Sequence, residues 1–178
     1  MPSIRVLKPE EIESIRKIDR AEEIHEYYVF KNGGLILEAN RVSVAQFDPD
    51  ELDKLISNQH QLLQVGGKII GAFDSNELVG VASVESQLRG RTANYCKMDI
   101  LYVSRGFRSS GIGKLLLQEC MKTAREFGAE KLYISATPTK NTVDFYLNNG
   151  ALITKELDTA LFRMEPLDIH LEISLYRA

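Results

Sequence analysis

Residues 102–118, YVSRGFRSSGIGKLLLQ, carry an apolar segment into a turn holding Gly106, Arg108, Ser109, Ser110, Gly111 and Gly113, and from there straight into a leucine-rich stretch. A strand that enters a glycine-rich turn and leaves it as a helix is a strong constraint. The first N–H groups of that helix have no partner within it, and glycine allows a ligand to reach them closely. Such a turn is a ready site for phosphate oxygens. The spacing excludes two phosphate-binding patterns. Gly106 and Gly111 have the separation of a Walker loop, but Ile112 and Gly113 follow, and Lys114 precedes Leu115 instead of a hydroxyl for magnesium. A dinucleotide fingerprint needs a third glycine at position 116, which is Leu.

The elements around the turn alternate in type. IRVLK (residues 4–8) reads as a strand, and Pro9 opens PEEIESIRKIDR as a helix with Ile12, Ile15 and Ile18 in near-helical phase. The next stretch, AEEIHEYYVFKNGGLILEANRV, passes from a polar-aromatic segment through Asn32, Gly33 and Gly34 into an apolar run, and its form stays open at this level. Asp48 and Pro49 start a helix that Gly66 and Gly67 stop. KIIGAFDS and ELVGVASVES, with a turn near Asn76, form an antiparallel hairpin, and YCKMDILYVS is a further strand. Beyond the turn, residues 111–127 place Ile112, Leu115, Leu116, Cys120 and Phe127 on one helical face, closed by Gly128. KLYISATP is a strand, TKNTVDFYLNNG a helix stopped at Gly150, and ALITKEL and IHLEISL a final strand pair around the loop DTALFRMEPLD. The pattern is one α+β domain with a mixed central sheet and no internal repeat.

Composition narrows the partners. With 22 Lys and Arg against 25 Asp and Glu, no global field draws the chain to nucleic acid or an anionic membrane. Cys96 and Cys120 match neither a redox pair nor a zinc set and read as buried thiols in a reducing, cytoplasmic compartment. His25, His60 and His170 lie apart without a metal-binding spacing, no Gly-x-Ser-x-Gly elbow occurs, and no segment has the length of a membrane span. A chain of 178 residues is long enough to bury a core that needs no staple.

Arg108-x-x-Gly111-x-Gly113 after the strand ending Leu101-Tyr102-Val103, followed by LYISAT and a helix carrying Phe145-Tyr146 with Gly150 four residues later, resembles the GCN5-related N-acetyltransferase (GNAT) superfamily. The resemblance covers roughly residues 68–175, and the N-terminal third in the order of its elements alone. It implies a mixed sheet of about seven strands flanked by helices and splayed at a cofactor cleft. It divides the chain into an acceptor-side region of about 1–66, an acetyl-coenzyme A core of about 68–150 and a strand pair of about 151–178. Residues Arg108, Ser109, Ser110, Gly111, Ile112, Gly113 and Lys114 would hold the pyrophosphate of acetyl-coenzyme A. A bulge near Tyr102 and Val103 would free a backbone N–H for the thioester carbonyl. Two residues depart from the family pattern: Ser109 replaces a frequent glycine, and Thr139 stands where many members have asparagine, with Asn141 two residues on as the alternative contact to the pantetheine arm.

Acetyl transfer to an amine needs a neutral nucleophile, donors for the developing oxyanion and a proton for the leaving thiolate. Tyr146 matches the family tyrosine near the coenzyme sulfur. Asp99 and Glu85 compete as general base, while Lys97 takes a position where many relatives carry glutamate. Glu22, Glu23 and His25 lie where the family builds its acceptor pocket, and Glu165, Asp168 and His170 where relatives place acceptor-side loops. The reading is an acetyl-coenzyme A-dependent N-acetyltransferase for a small-molecule amine, with no metal. The alternatives are a protein or peptide acceptor and a coenzyme A-binding sensor without turnover. Exposed edge strands leave room for a homodimer.

Overall fold

The computed structural model describes residues 2–176. Its centre is a mixed sheet of seven strands in the order β1-β4-β5-β6-β7-β9-β8. These are β1 (Ser3–Val6), β4 (Lys68–Asp74), β5 (Glu77–Arg89), β6 (Tyr95–Val103), β7 (Lys131–Ala136), β8 (Leu152–Ile153) and β9 (Ile169–Ser174). The segment that sequence left open is a second, two-stranded sheet of β2 (Glu22–Lys31) and β3 (Gly34–Val44). Both tight hairpins have left-handed central residues, Asn32 and Gly33 at φ 52° and 78°, and Ser75 and Asn76 at φ 47° and 71°. That geometry matches the twist of the flanking strands.

Helices cover both faces. On one face α2 (Ile112–Glu126) and α3 (Lys140–Asn148) bury Leu116, Cys120, Val143 and Tyr146 against Ile70, Ala72, Val84, Cys96, Met98 and Ile134. On the other, α1 (Pro49–Gln64) and a 3-10 helix at Pro9–Lys17 pack Ile56, Leu62, Ile12, Ile15 and Ile18 on Ile69, Phe73 and Val81. Ile69 and Ile70 thus serve opposite faces, as the two-residue period of a strand requires. The N-terminal helix differs from the α-helix expected of PEEIESIRKIDR: its isoleucines recur every third residue, and a 3-10 turn of three residues buries all of them. Leu115 is also displaced from expectation. It is 42% exposed, and the neighbouring Leu117 occupies the buried stripe of α2.

The last strand pair is shorter than ALITKEL implies, because β8 keeps two residues and the chain then turns toward a buried acid. Glu172 on β9 accepts hydrogen bonds from Tyr95 Oη (2.5 Å), Lys131 Nζ (2.9 Å), Thr154 Oγ1 (3.1 Å) and the Lys155 N–H (3.0 Å). The loop that follows forms α4 (Thr159–Met164), whose first N–H groups are capped by the Asp158 carboxylate. Burial alone would raise the Glu172 carboxyl, but the bonds from Tyr95 and Lys131 outweigh it and hold the group below its ordinary range. Its stabilisation is therefore present above the unfolded carboxylate pKa and is lost as pH falls through the lower folded value. Glu172→Gln is expected to cost roughly 2–3 kcal/mol and to flatten the acid limb of stability, read by urea melts from pH 7 to pH 3. An unaltered melt would remove this acid from the account of the fold.

Candidate functional site

The sheet opens at one place. Parallel strands β6 and β7 pair from Tyr95/Lys131 to Met98/Ile134 and then stop, although β6 continues to Val103 and β7 to Ala136. On its other edge β6 stays paired with β5 as far as Gly80/Val103. The cause lies in the β5–β6 ladder. A register shift sets Ser83/Ile100 beside Val84/Met98, so Asp99 is an extra residue, and such a bulge bends its strand. The bulge therefore sits at Asp99. Tyr102 and Val103, where the resemblance implied it, pair regularly with Val81 and Gly80. A second irregularity lets Glu85, Ser86 and Gln87 face Lys97.

The glycine turn stands at the open end of β6. Ser104 leads into a 3-10 turn at Arg105–Phe107, Ser109 takes φ 61°, and Gly111 caps α2 at φ 88°. The first helical bond runs from the Leu115 N–H to the Gly111 carbonyl at 3.1 Å. The N–H groups of Ile112, Gly113 and Lys114 precede it and are free to meet an anion at the positive end of the helix. A Cβ on Gly111 would meet nothing within 4 Å, so the space outside the turn is open. Gly113 has a second reason to be glycine: its Cβ would lie 3.3 Å from the Phe145 ring, where α2 and α3 approach each other. The Ile112 side chain goes to the core, Lys114 is exposed, and Ser110 Oγ donates to the Phe107 carbonyl at 2.5 Å.

Arg108 has a task the sequence did not reveal. Its Nε donates to the Val103 carbonyl (3.1 Å) and its Nη1 to the Ala21 carbonyl (3.0 Å), with Glu22 at 4.0 Å. The guanidinium fastens the turn to β2. Glu22 in turn accepts from Asn141 Nδ2 at 3.1 Å, and the Tyr28 N–H reaches the Pro138 carbonyl at 2.7 Å. By these contacts β2 lies across the mouth of the opening. Thr139 is the N-cap of α3, accepting from the Thr142 N–H, and is buried, whereas Asn141 is exposed. Glu23 and His25 face a recess of about 80 Å³ with Thr139 and Lys140. His170 is not with them. It is buried on β9, its Nδ1 2.9 Å from Tyr133 Oη and its Nε2 3.3 Å from the Glu165 carbonyl, so both ring nitrogens are occupied within the protein.

Tyr146 is 5% exposed, its ring set edge-on to Phe145 at 5.1 Å. Burial, with the Cys120 thiol and Tyr102 nearby, pushes its hydroxyl well above the ordinary phenol range, so the proton stays on oxygen. The two candidate bases lie in one ionic chain on the face covered by α1. Asp99 accepts from Gln59 Nε2 (2.8 Å) and Lys97 Nζ (2.7 Å), Lys97 also reaches Glu85 (3.3 Å), Glu85 pairs with Arg89 (3.0 Å), and Arg89 with Asp158 (3.1 Å). Burial would lower the Lys97 ammonium, but Asp99 and Glu85 more than offset this and raise it. Lys97 is therefore a fixed cation and not a base. Of the two acids, Asp99 stands at the point where the sheet opens. Asp168 lies on the β7 side of the opening: Ser135, the first residue past the last β6–β7 pair, donates to it at 3.0 Å, and burial raises its carboxyl. Beyond Arg89 the chain ends in a cavity of about 640 Å³ lined by Arg91, Tyr95, Tyr133, Lys155 and Glu156. Among the described residues no group of three or more His, Cys, Asp or Glu side chains is placed to hold a metal.

A mixed sheet split between two parallel strands, with a glycine turn and a helix N-terminus at the split, defines an acetyltransferase architecture. The model of the Acetyltransferase (GNAT) family matches residues 21–151, and the chain belongs to that family. Comparison with curated proteins finds no match. Among solved structures it is similar to nourseothricin acetyltransferase, with 19% identity, TM-score 0.71, and 98% of this chain and 99% of that one covered. It is also similar to a Bacillus anthracis protein assigned as a streptothricin acetyltransferase, solved with acetyl coenzyme A, at 17% identity and TM-score 0.74 with 98% of each chain covered. A third likeness is to the PaiA N-acetyltransferase of Thermoplasma acidophilum, solved with coenzyme A, at 17% identity and TM-score 0.61 over 98% of this chain and 99% of that one.

Proposed function

We propose that this chain is an acetyl-coenzyme A-dependent N-acetyltransferase that moves an acetyl group directly to a primary amine of a small molecule. One observation carries the reading: the unpaired edges of β6 and β7 beyond Met98/Ile134 run from a helix N-terminus at one end to a carboxylate, Asp99, at the other. Residues of this chain fit the cofactor. The N–H groups of Ile112, Gly113 and Lys114, with the left-handed Ser109 and Gly111, form a cradle for the pyrophosphate. The backbone of residues 99–103 is free of β7 on that edge and offers hydrogen bonds to an extended chain laid beside it.

Bound acetyl-coenzyme A supplies the activated acetyl thioester. Asp99 takes the proton of the incoming ammonium, and Lys97 and Gln59 hold its carboxylate in place. Tyr146 keeps a proton at Oη for the departing sulfur. Arg108 holds the turn to β2, so that its contribution to binding is mainly to the shape of the cradle. The acceptor side is the face of the sheet that carries Asp99, Lys97, Glu85 and Arg89.

The test is steady release of free thiol from acetyl-coenzyme A in the presence of an unbiased panel of primary amines, small molecules and peptides separately. Transfer to protein or long polypeptide amines alone would move the acceptor to the protein class. Tight coenzyme binding with no transfer to any amine would leave a sensor module in its place. Within the same reading, Gly113→Val drives methyl groups into the Phe145 ring beside the cradle and is expected to weaken acetyl-coenzyme A binding roughly tenfold or more, measured by calorimetry on a folded variant. Wild-type affinity would remove the turn from the site.

A further inference from the structure

The cavity beyond Arg89 carries three cations, Arg89, Arg91 and Lys155, and two acids, Glu156 and Asp158. The acids are largely committed within the protein. Asp158 accepts from Arg89 Nη1 at 3.1 Å and from the N–H groups of Ala160 and Leu161 at 3.0 Å each, and Glu156 accepts the Arg91 N–H at 2.5 Å. Arg89 is spent on Glu85 and Asp158. Among the described residues the side chains of Arg91 and Lys155 enter no ion pair, yet the backbone beneath each is tied down. Glu156 holds the Arg91 N–H, and the buried Glu172 holds the Lys155 N–H at 3.0 Å. The rings of Tyr95 and Tyr133 line the cavity with their hydroxyls already engaged, by Glu172 at 2.5 Å and by His170 at 2.9 Å.

The ion-paired row that starts with Asp99 at the sheet opening and runs through Lys97 and Glu85 to Arg89 thus ends at a cavity with two cations that have no ion-pair partner. We infer that the cavity binds a carboxylate of the acceptor, so that the acceptor is a zwitterion with its amine at Asp99 and its carboxylate between Arg91 and Lys155. This rests on the acetyl-transfer reading of the site. A monoanion suits the site better than a dianion because Glu156 stands among the cations and repels excess negative charge. The span also restricts the acceptor. Tyr95, which lines the cavity, is four strand residues from Asp99, roughly 13 Å at about 3.3 Å each. A free α-amino acid is too short to span that distance, whereas an extended tripeptide reaches roughly 10 Å and the long side chains of arginine and lysine make up the remainder.

The probes are triglycine, its C-terminal amide triglycinamide, and glycine, titrated calorimetrically into the protein in the presence and absence of coenzyme A. Triglycine is expected to bind at least tenfold tighter than triglycinamide or glycine at low salt, with the margin shrinking as salt is added. In Arg91→Glu/Lys155→Glu the margin should fall below threefold at an unchanged melting temperature. Arg91→Gln and Lys155→Gln separately provide the same comparison if the double variant fails to fold. Equal affinity for acid and amide in the wild type, or a margin that survives these substitutions, overturns the inference. Transfer to the neutral amine benzylamine is followed in parallel. Transfer to benzylamine with no preference between the peptides overturns the carboxylate site and leaves the acetyltransferase reading standing. Peptide preference without transfer to any amine supports the carboxylate site and overturns that reading instead.

Discussion

Tyr146→Phe is expected to lower the turnover number on the order of 10²–10⁴-fold while acetyl-coenzyme A affinity changes little. The ring is part of the core between α3 and the sheet, packed with Phe145 and close to Cys120, and Phe preserves that packing. Only the hydroxyl proton is lost. Burial keeps that proton on oxygen at neutral pH, so the hydroxyl is available as a hydrogen-bond donor to the departing sulfur. Among the described residues no hydrogen bond reaches Tyr146 Oη, so its removal leaves no orphaned group and a purely structural role predicts normal turnover. If product release limits the wild type, part of the chemical loss is hidden in steady state, so single-turnover rates are the measurement to compare. Wild-type single-turnover kinetics across the pH range would leave the acid unassigned.

The second large effect is at Asp99. Asp99→Asn keeps the shape and the Gln59 contact region but removes the proton acceptor, and kcat/KM at neutral pH should fall on the order of 10²–10⁴-fold. The sign of the pH dependence follows from the task. As pH rises, more acceptor arrives already as free amine, so the deficit of the variant should shrink toward alkaline pH. Glu85→Gln is the control, because Glu85 lies one link further along the chain, between Lys97 and Arg89. It should alter KM more than kcat. A pH-dependent loss in Glu85→Gln, together with near-normal Asp99→Asn kinetics, would exchange the two assignments.

Much of the scaffold was legible along the chain because its signals are local. The glycine turn before α2, the helix start at Asp48, the β4–β5 hairpin and the stop at Gly150 each depend on a few adjacent residues with restricted backbone or capping chemistry. The Asn32-Gly33 turn is equally local, but β2 lacks clean alternation, since it lies across the mouth of the opening with both faces partly exposed. The loop after β8 read as irregular because its short helix depends on a cap, Asp158, that Arg89 holds from a distant strand. His170 could be placed among acceptor-side residues by position alone, and only its partners Tyr133 and Glu165 show that it faces inward.

By itself the sequence determined the order of elements, the turn and the types of reactive side chain, because these follow from backbone freedom and side-chain chemistry within a few residues. Tertiary structure alone decided where the sheet parts, since the Asp99 bulge exists only in the register between β5 and β6. It also decided that Lys97 is locked between two carboxylates, that Arg108 is tied to β2, and that Arg91 and Lys155 share one cavity. Each of these is a contact between residues on different elements, and the free energy of a charge depends on what lies within a few ångströms of it and not on what adjoins it in the chain.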